Sequence, residues 1–146
     1  MADGGSNYAV ENLKVQVAAC TRLLNNEGIL GYSGHVSARL PDGQSLLIQS
    51  FDASRSDLTP EELFIVDLDG NILERPSDAR PVNEVEIHPE VMRARSDVNA
   101  VLHFHPGIAT LSTMVEGLDL VPMKNHAYRW ASGISTHPES WRINTA

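Results

Sequence analysis

Two histidines two residues apart, His103 and His105, sit in the run Ala100-Val101-Leu102-His103-Phe104-His105-Pro106. The run has the composition of a buried strand. On a strand, side chains at i and i+2 leave the same face, so both imidazoles point together while Leu102 and Phe104 face the other way. Two convergent ring nitrogens at the end of a core strand make half of a metal site. The plainer reading is a pair of core histidines hydrogen-bonded to backbone. A carboxylate comes from Pro81-Val82-Asn83-Glu84-Val85-Glu86-Ile87-His88. Glu84 opens a predicted helix, where the dipole favours a carboxylate and suits it to binding metal, and His88 follows one turn later on the same face. Taken alone, Glu84 is a good first-turn residue and His88 packs against the sheet.

The elements that must position these residues can be read from the flanking patterns. Pro106 ends the strand and suits the first turn of a helix over 107–115. The segment 83–95 reads as a helix with Ile87, Val91 and Met92 on one apolar stripe. Near the start of the chain, Val10, Leu13, Val17, Cys20, Leu23 and Leu24 follow a helical period from Tyr8 to the stop signal Asn25-Asn26-Glu27-Gly28. A glycine-punctuated turn over 29–34 leads into an alternating strand over 35–40. Turn chemistry at Pro41-Asp42-Gly43-Gln44 and an apolar strand over 45–49 make 35–49 a hairpin. Thr59-Pro60-Glu61-Glu62 caps a short helix, followed by a strand over 64–68, the tight turn Asp69-Gly70-Asn71 and a return strand over 72–74. A short strand is expected over 120–123, and residues 136–146 show no clear periodicity. Residues 1–7 are expected to fray, leaving 8–146 as one domain. Hairpins mix with helices rather than alternating strictly with them. The fold class is therefore α/β, with a mostly antiparallel or mixed sheet and helices on its faces.

Composition removes several function classes. A chain of 146 residues with 42% apolar content supports one real core. Eleven basic against 19 acidic residues, a formal charge of -8, leave no basic stripe for a nucleic-acid backbone. No apolar run approaches the ~20 residues of a membrane span. The polar N-terminus lacks the pattern of a signal peptide, so the expected compartment is the cytosol. Cys20 cannot form an internal disulfide, and its place on the predicted helix makes inert burial the expectation.

Five motifs occur here in one order: Gly34-His35-Val36-Ser37-Ala38-Arg39, Leu58-Thr59-Pro60-Glu61-Glu62-Leu63, Val66-Asp67-Leu68-Asp69-Gly70-Asn71, the Pro-to-His segment 81–88, and the Arg-to-Pro segment 95–106. As a set they make the chain, over roughly 8–130, resemble the class II aldolase/adducin family. The resemblance implies a divalent-metal lyase on a three-layer α/β/α fold, usually a homotetramer with active sites at subunit interfaces. It implies Zn²⁺ or a similar cation (Mn²⁺, Co²⁺ or Fe²⁺), held by His103, His105 and a third histidine much further on. Glu84 matches the catalytic acid/base, close enough to be a ligand before substrate arrives. Ser33, Gly34, His35 and Asn83 match substrate-binding positions. The chemistry agrees: cleaving a carbon–carbon bond beside a carbonyl builds charge on an oxygen that a dication stabilises, while a carboxylate moves the proton.

Some positions depart from the sugar-phosphate members of that family. Where those hold phosphate with Asn, Ser-Gly and Ser-Ser, this chain has His35, Gln49-Ser50-Phe51 and Val82-Asn83. Most of the small donors for a phosphate are gone. The motifs are more similar to a hydroxy-methylpyridine-dicarboxylate decarboxylase-like branch, in which CO₂ leaves instead of an aldehyde. In that reading His35, Ser37, Arg39 or Arg129 meets a substrate carboxylate, with a structural hydrogen bond the equal alternative for each. The family's third histidine falls about sixty residues beyond the pair, past Ala146, which implies an incomplete C-terminus with weakened metal binding and little turnover. His126 and His137 come too early to match it. The competing readings are a non-catalytic adducin-like interaction domain, a sugar-phosphate aldolase or epimerase, and a dehydratase.

Overall fold

The computed structural model describes residues 4–76, 78–118, 121, 123 and 125–134. Helix α1 (Gly4–Asn26) begins four residues ahead of the expected Tyr8. Its buried stripe is Val17, Ala18 and Thr21, with Val10 and Leu13 partly buried on the same side. Thr21 is tolerated there because its hydroxyl donates to the Val17 carbonyl at 2.9 Å. Cys20 is exposed, and so is Leu23. The expectation that Cys20 is buried was therefore wrong. Val10, Leu13, Val17, Thr21 and Leu24 keep the 3–4 residue spacing of one helix face, and Cys20 and Leu23 fall off it.

Among the described residues five strands form one antiparallel sheet: β1 (His35–Arg39), β2 (Ser45–Gln49), β3 (Leu63–Asp67), β4 (Ile72–Glu74) and β5 (Ala100–His103), in the order β4-β3-β2-β1-β5. The hairpins expected at 35–49 and 64–74 are both present. The two-residue alternation splits the core into two faces. On one, Ala38, Leu47 and Leu63 pack with Val17 and Ala18 of α1. On the other, Leu46, Ile48, Phe64 and Val66 pack with Val82, Val85 and Met92. Met92 belongs to helix α2 (Ile87–Ala94), so helices cover both faces of the sheet.

Three expectations near the site change. The helix over 83–95 is only α2; residues 83–86 form successive turns in which Ile87 N–H donates to the Glu84 carbonyl at 3.3 Å. Glu84 thus precedes the helix instead of opening it. The buried side of α2 is His88, Pro89 and Met92, not the stripe Ile87-Val91-Met92, because an apolar-only pattern passes over a buried histidine. Finally, β5 is an edge strand that ends at His103, with Val101 half-buried and Leu102 exposed. No strand covers its outer side among the described residues.

The chain divides after Phe104, and a second unit begins at His105. It contains helix α3 (Gly107–Thr113), shorter than the expected 107–115, and a 3₁₀ helix (Asn125–Trp130) that no pattern announced. Of the strand expected over 120–123, Leu120 and Pro122 lie outside the described residues, and Val121 and Met123 are not in a strand. Residues 136–146 lie outside them too.

Candidate metal centre

The site is built on the face of the sheet that α2 covers. Ser37 lies opposite Ile48, whose side chain enters that core, so Ser37 and its i−2 neighbour His35 share the face. His35 is the cross-strand partner of His103, and Ser37 of Val101. Antiparallel pairing therefore brings two imidazoles together from residues 68 positions apart. Their rings stack with centroids 4.7 Å apart and 12° between planes. Glu84 arrives from the turns ahead of α2. That segment is tied down by a bridge between Ser50 and Pro81, by Phe51 N–H donating to the Arg80 carbonyl at 2.9 Å, and by buried Val82 and Val85 on either side of Glu84. Each such apolar anchor contributes roughly 1.5–3 kcal/mol.

Glu84 Oε2 lies 3.3 Å from His103 Nε2 and 3.7 Å from His35 Nε2. The three donor atoms all fall within 4.8 Å of one another. On a tetrahedral ion with bonds of about 2.0–2.2 Å, neighbouring donors stand about 3.4 Å apart. The two carboxylate–imidazole separations bracket that value, so the donor set fits a divalent cation in chemistry and, between Glu84 and each imidazole, in spacing. His35 is buried, whereas His103 and Glu84 are partly open, giving the cluster one accessible side.

Behind the cluster stands a second layer. His35 Nδ1 lies 2.6 Å from His88 Nε2, and His88 Nδ1 lies 2.6 Å from Ser37 Oγ. His88 is fully buried, and burial, with a smaller push from His103, lowers its imidazole to about 3. It is neutral near pH 7. The sequence placed His88 near Glu84 and named Ser37 as a carboxylate contact, but nothing in the one-dimensional pattern joins them.

His105 lies beyond the end of β5, so strand alternation does not carry to it; it is exposed and opens the second unit. Ser33 and Asn83 are exposed turn residues. Gly34 is buried, and a Cβ there would come 2.4 Å from Leu30 Cδ2, so its small size is needed for packing on a fully buried leucine. Arg39 is structural: its guanidinium donates to the carbonyls of Val98 (3.0 Å), Gly43 (2.9 Å), Met92 (2.7 Å) and Arg95 (3.2 Å). Arg129 is exposed on the 3₁₀ helix of the second unit. Where phosphate donors were missed in the sequence, Gln49 is fully buried and the Ser50 hydroxyl is committed to the Glu62 carbonyl. A groove of about 360 Å³ in the first unit is lined by Tyr32, Phe51, Ser54, Arg55 and Ser56 among others. Arg80 lies over the Phe51 ring at 3.6 Å.

Comparison with known proteins gives a consistent picture. The profile of the family described as Class II Aldolase and Adducin N-terminal domain matches residues 15–142. The L-fuculose phosphate aldolase of Methanocaldococcus jannaschii is 27% identical over 131 residues, covering 89% of this chain and 69% of the relative. The 3,4-dihydroxyphthalate decarboxylase of Arthrobacter keyseri is 34% identical over 97 residues, covering 62% of this chain and 39% of the relative. Among solved structures, an aldolase II superfamily protein from Pseudomonas syringae superposes with a TM-score of 0.72 at 27% identity, covering 84% of this chain and 50% of that one. The chain thus spans from about two-fifths to about two-thirds of the length of these proteins.

Proposed function

The chain belongs to the class II aldolase and adducin N-terminal domain family, and on that premise we propose that it is a divalent-metal-dependent carbon–carbon lyase of decarboxylase or aldolase type. The observation that carries this reading is the convergence of His35, Glu84 and His103 within 4.8 Å. His103 is a ligand expected from the resemblance. His35, expected to meet substrate, is here the second imidazole of the cluster, and His105 is the further family ligand position. Zn²⁺ is the first choice, while imidazole and carboxylate donors also suit Mn²⁺, Co²⁺ and Fe²⁺. A divalent cation held there supplies Lewis-acid stabilisation for negative charge on a substrate oxygen.

The residues of the chain do the rest. His35 and His103, as neutral imidazoles, leave the positive charge of the site intact. Glu84, a ligand before substrate arrives, in its released form takes a proton from a substrate hydroxyl or water and delivers it to the carbon from which CO₂ or an aldehyde departs. We take the substrate to be a small, non-phosphorylated carboxylated or carbonyl compound, a reading supported by the commitment of the Ser50 hydroxyl to the Glu62 carbonyl. Retention of Glu84, His103 and His105 argues against a non-catalytic adducin-like role. We place the protein in the cytosol as a homo-oligomer, a tetramer as in the family. The exposed edge of β5, with Leu102 and Phe104 open to solvent, supports assembly. No helix among the described residues is long and apolar enough to cross a membrane.

The test is product analysis on metal-loaded protein with a panel of small aromatic and aliphatic carboxylates and hydroxy-carbonyl compounds. CO₂ or aldehyde release that falls at least about 100-fold in Glu84→Gln is the expected result. Turnover unaffected by Glu84→Gln contradicts the assignment.

A further inference from the structure

Arg39 and Arg55 both donate to main-chain carbonyls, but they are built differently. Arg39 commits all three of its side-chain nitrogens. Arg55 commits two: Nε donates to the Gly34 carbonyl at 3.1 Å, and Nη1 to those of Phe51 and Ala53 at 3.3 and 3.2 Å. These contacts fix the guanidinium on the wall of the groove of about 360 Å³. Among the described residues Nη2 is left without an acceptor, and no carboxylate pairs with Arg55. Asp52, which lines the same groove, lies instead 3.7 Å from Arg80. An arginine cannot shed its proton, so partial burial leaves a charge without a counter-ion. That desolvation pushes the Arg55 guanidinium below its ordinary value.

Beside this cation the groove is aromatic. Tyr32 and Phe51 meet edge to face, with ring centroids 6.3 Å apart and planes at 88°. They make a right-angled corner, where a third flat ring stacks on one and abuts the other. Arg55 Cζ lies 5.5 Å from the Tyr32 centroid, so the charge stands next to that corner. Tyr32 is 76% exposed and has ring surface to be covered. We propose that this groove binds a small aromatic carboxylate, with its acid group on Arg55 Nη2 and its ring against Tyr32 and Phe51. The volume is at the small end for ligand pockets, which suits a single ring. The Ser54 and Ser56 hydroxyls, 2.9 Å apart on the groove wall, share one hydrogen and leave the other for a ligand oxygen. Phosphate fits less well, because a dianion calls for several convergent donors and the Asp52 carboxylate shares the groove. The site goes beyond the lyase reading and does not require it. Its acid is either the carboxylate of the substrate, with the Arg55–Gly34 contact one residue from His35, or that of a separate molecule.

The experiment titrates benzoate, cyclohexanecarboxylate and inorganic phosphate into the zinc-loaded and the metal-free chain. Binding is followed by ¹H–¹⁵N spectra that include the Arg55 Nε–H resonance. Benzoate is expected to bind more tightly than either comparison, with and without zinc, and to move that resonance. Arg55→Lys, which keeps the charge and loses the fork, weakens benzoate at least about 10-fold. Tyr32→Leu weakens benzoate about 2–10-fold and leaves cyclohexanecarboxylate nearly unchanged. Absence of benzoate binding, binding only with zinc, tighter binding of phosphate, or wild-type affinity in a folded Arg55→Lys chain overturns the inference and leaves the lyase reading intact. Should Arg55→Lys fail to fold, the wild-type Arg55 resonance and Tyr32→Leu decide the matter. Steady-state inhibition then separates the two sources of the acid. Arg55-dependent competition by benzoate marks the acid pocket of the substrate, and Arg55-dependent binding without competition marks a separate ligand. Arg55-dependent binding to a chain that has no lyase activity keeps this inference while the lyase reading falls.

Discussion

Glu84, His35, His88 and Ser37 form one chain of polar contacts, and His88 is the one whose protonation can be followed through folding. Its imidazole is lowered by burial to about 3 in the native state, against about 6.5 unfolded. Below 6.5 the unfolded chain takes up a proton that the folded chain refuses. The contribution of His88 to stability is therefore complete above pH 6.5 and is lost as pH falls from there toward 3, by up to about 1.4 kcal/mol per pH unit. Urea titrations of metal-free protein at pH 7, 6 and 5 are expected to show a steeper loss in wild type than in His88→Gln, the difference corresponding to about one proton. Parallel pH profiles contradict the buried neutral state. The sequence exposed this residue only halfway. The His103/His105 spacing and Glu84 stand out because their types suggest ligands, whereas His88 is a polar residue within an apolar pattern and its burial depends on a contact 51 positions away.

At the scale of elements, the site depends on three pieces keeping their relative position: β1, the turns before α2, and β5. Arg39 ties the far end of β1 to α2 and to the approach to β5. Its four acceptor carbonyls belong to the β1–β2 turn, the C-terminal part of α2, and the residues just ahead of β5. Arg39→Ala is expected to lower the unfolding free energy by roughly 2–4 kcal/mol in denaturant titrations. Arg39→Lys recovers only part, because one ammonium cannot span acceptors in three segments. Had Arg39 held a substrate carboxylate, these variants would change KM and leave stability alone. Both hairpins and the short turn helix were legible because they rest on local turn chemistry, such as Asp67 accepting from the Asn71 N–H at 2.8 Å and Thr59 N–H donating to Glu62 Oε2 at 2.9 Å. The error over 83–86 and the mistaken phase on α1 have the opposite origin. Tertiary packing selects which face of a helix is buried and where it starts, and apolar residues such as Leu23 satisfy a period without meeting a core.

For the molecule as a whole, the cluster joins the first hairpin to the edge strand β5, so an ion bound there staples the sheet across its order. A ligand at 100 times its dissociation constant adds about 2.7 kcal/mol to the stability of the state that binds it. Metal content and stability are thus two readings of one site. Family and α/β layering were legible from motif order alone. The cross-strand register that sets His35 against His103 was not, since it depends on the pairing of β1 with β5 between residues 68 positions apart. The measurement that tests the account most directly is bound zinc per chain on gel-filtered, chelator-free protein, beside His103→Ala and His35→Ala. About one ion per chain is expected in wild type from a three-ligand site, absent in His103→Ala and sharply weakened in His35→Ala. A folded wild-type chain that holds no zinc, or holds it equally in both variants, contradicts it.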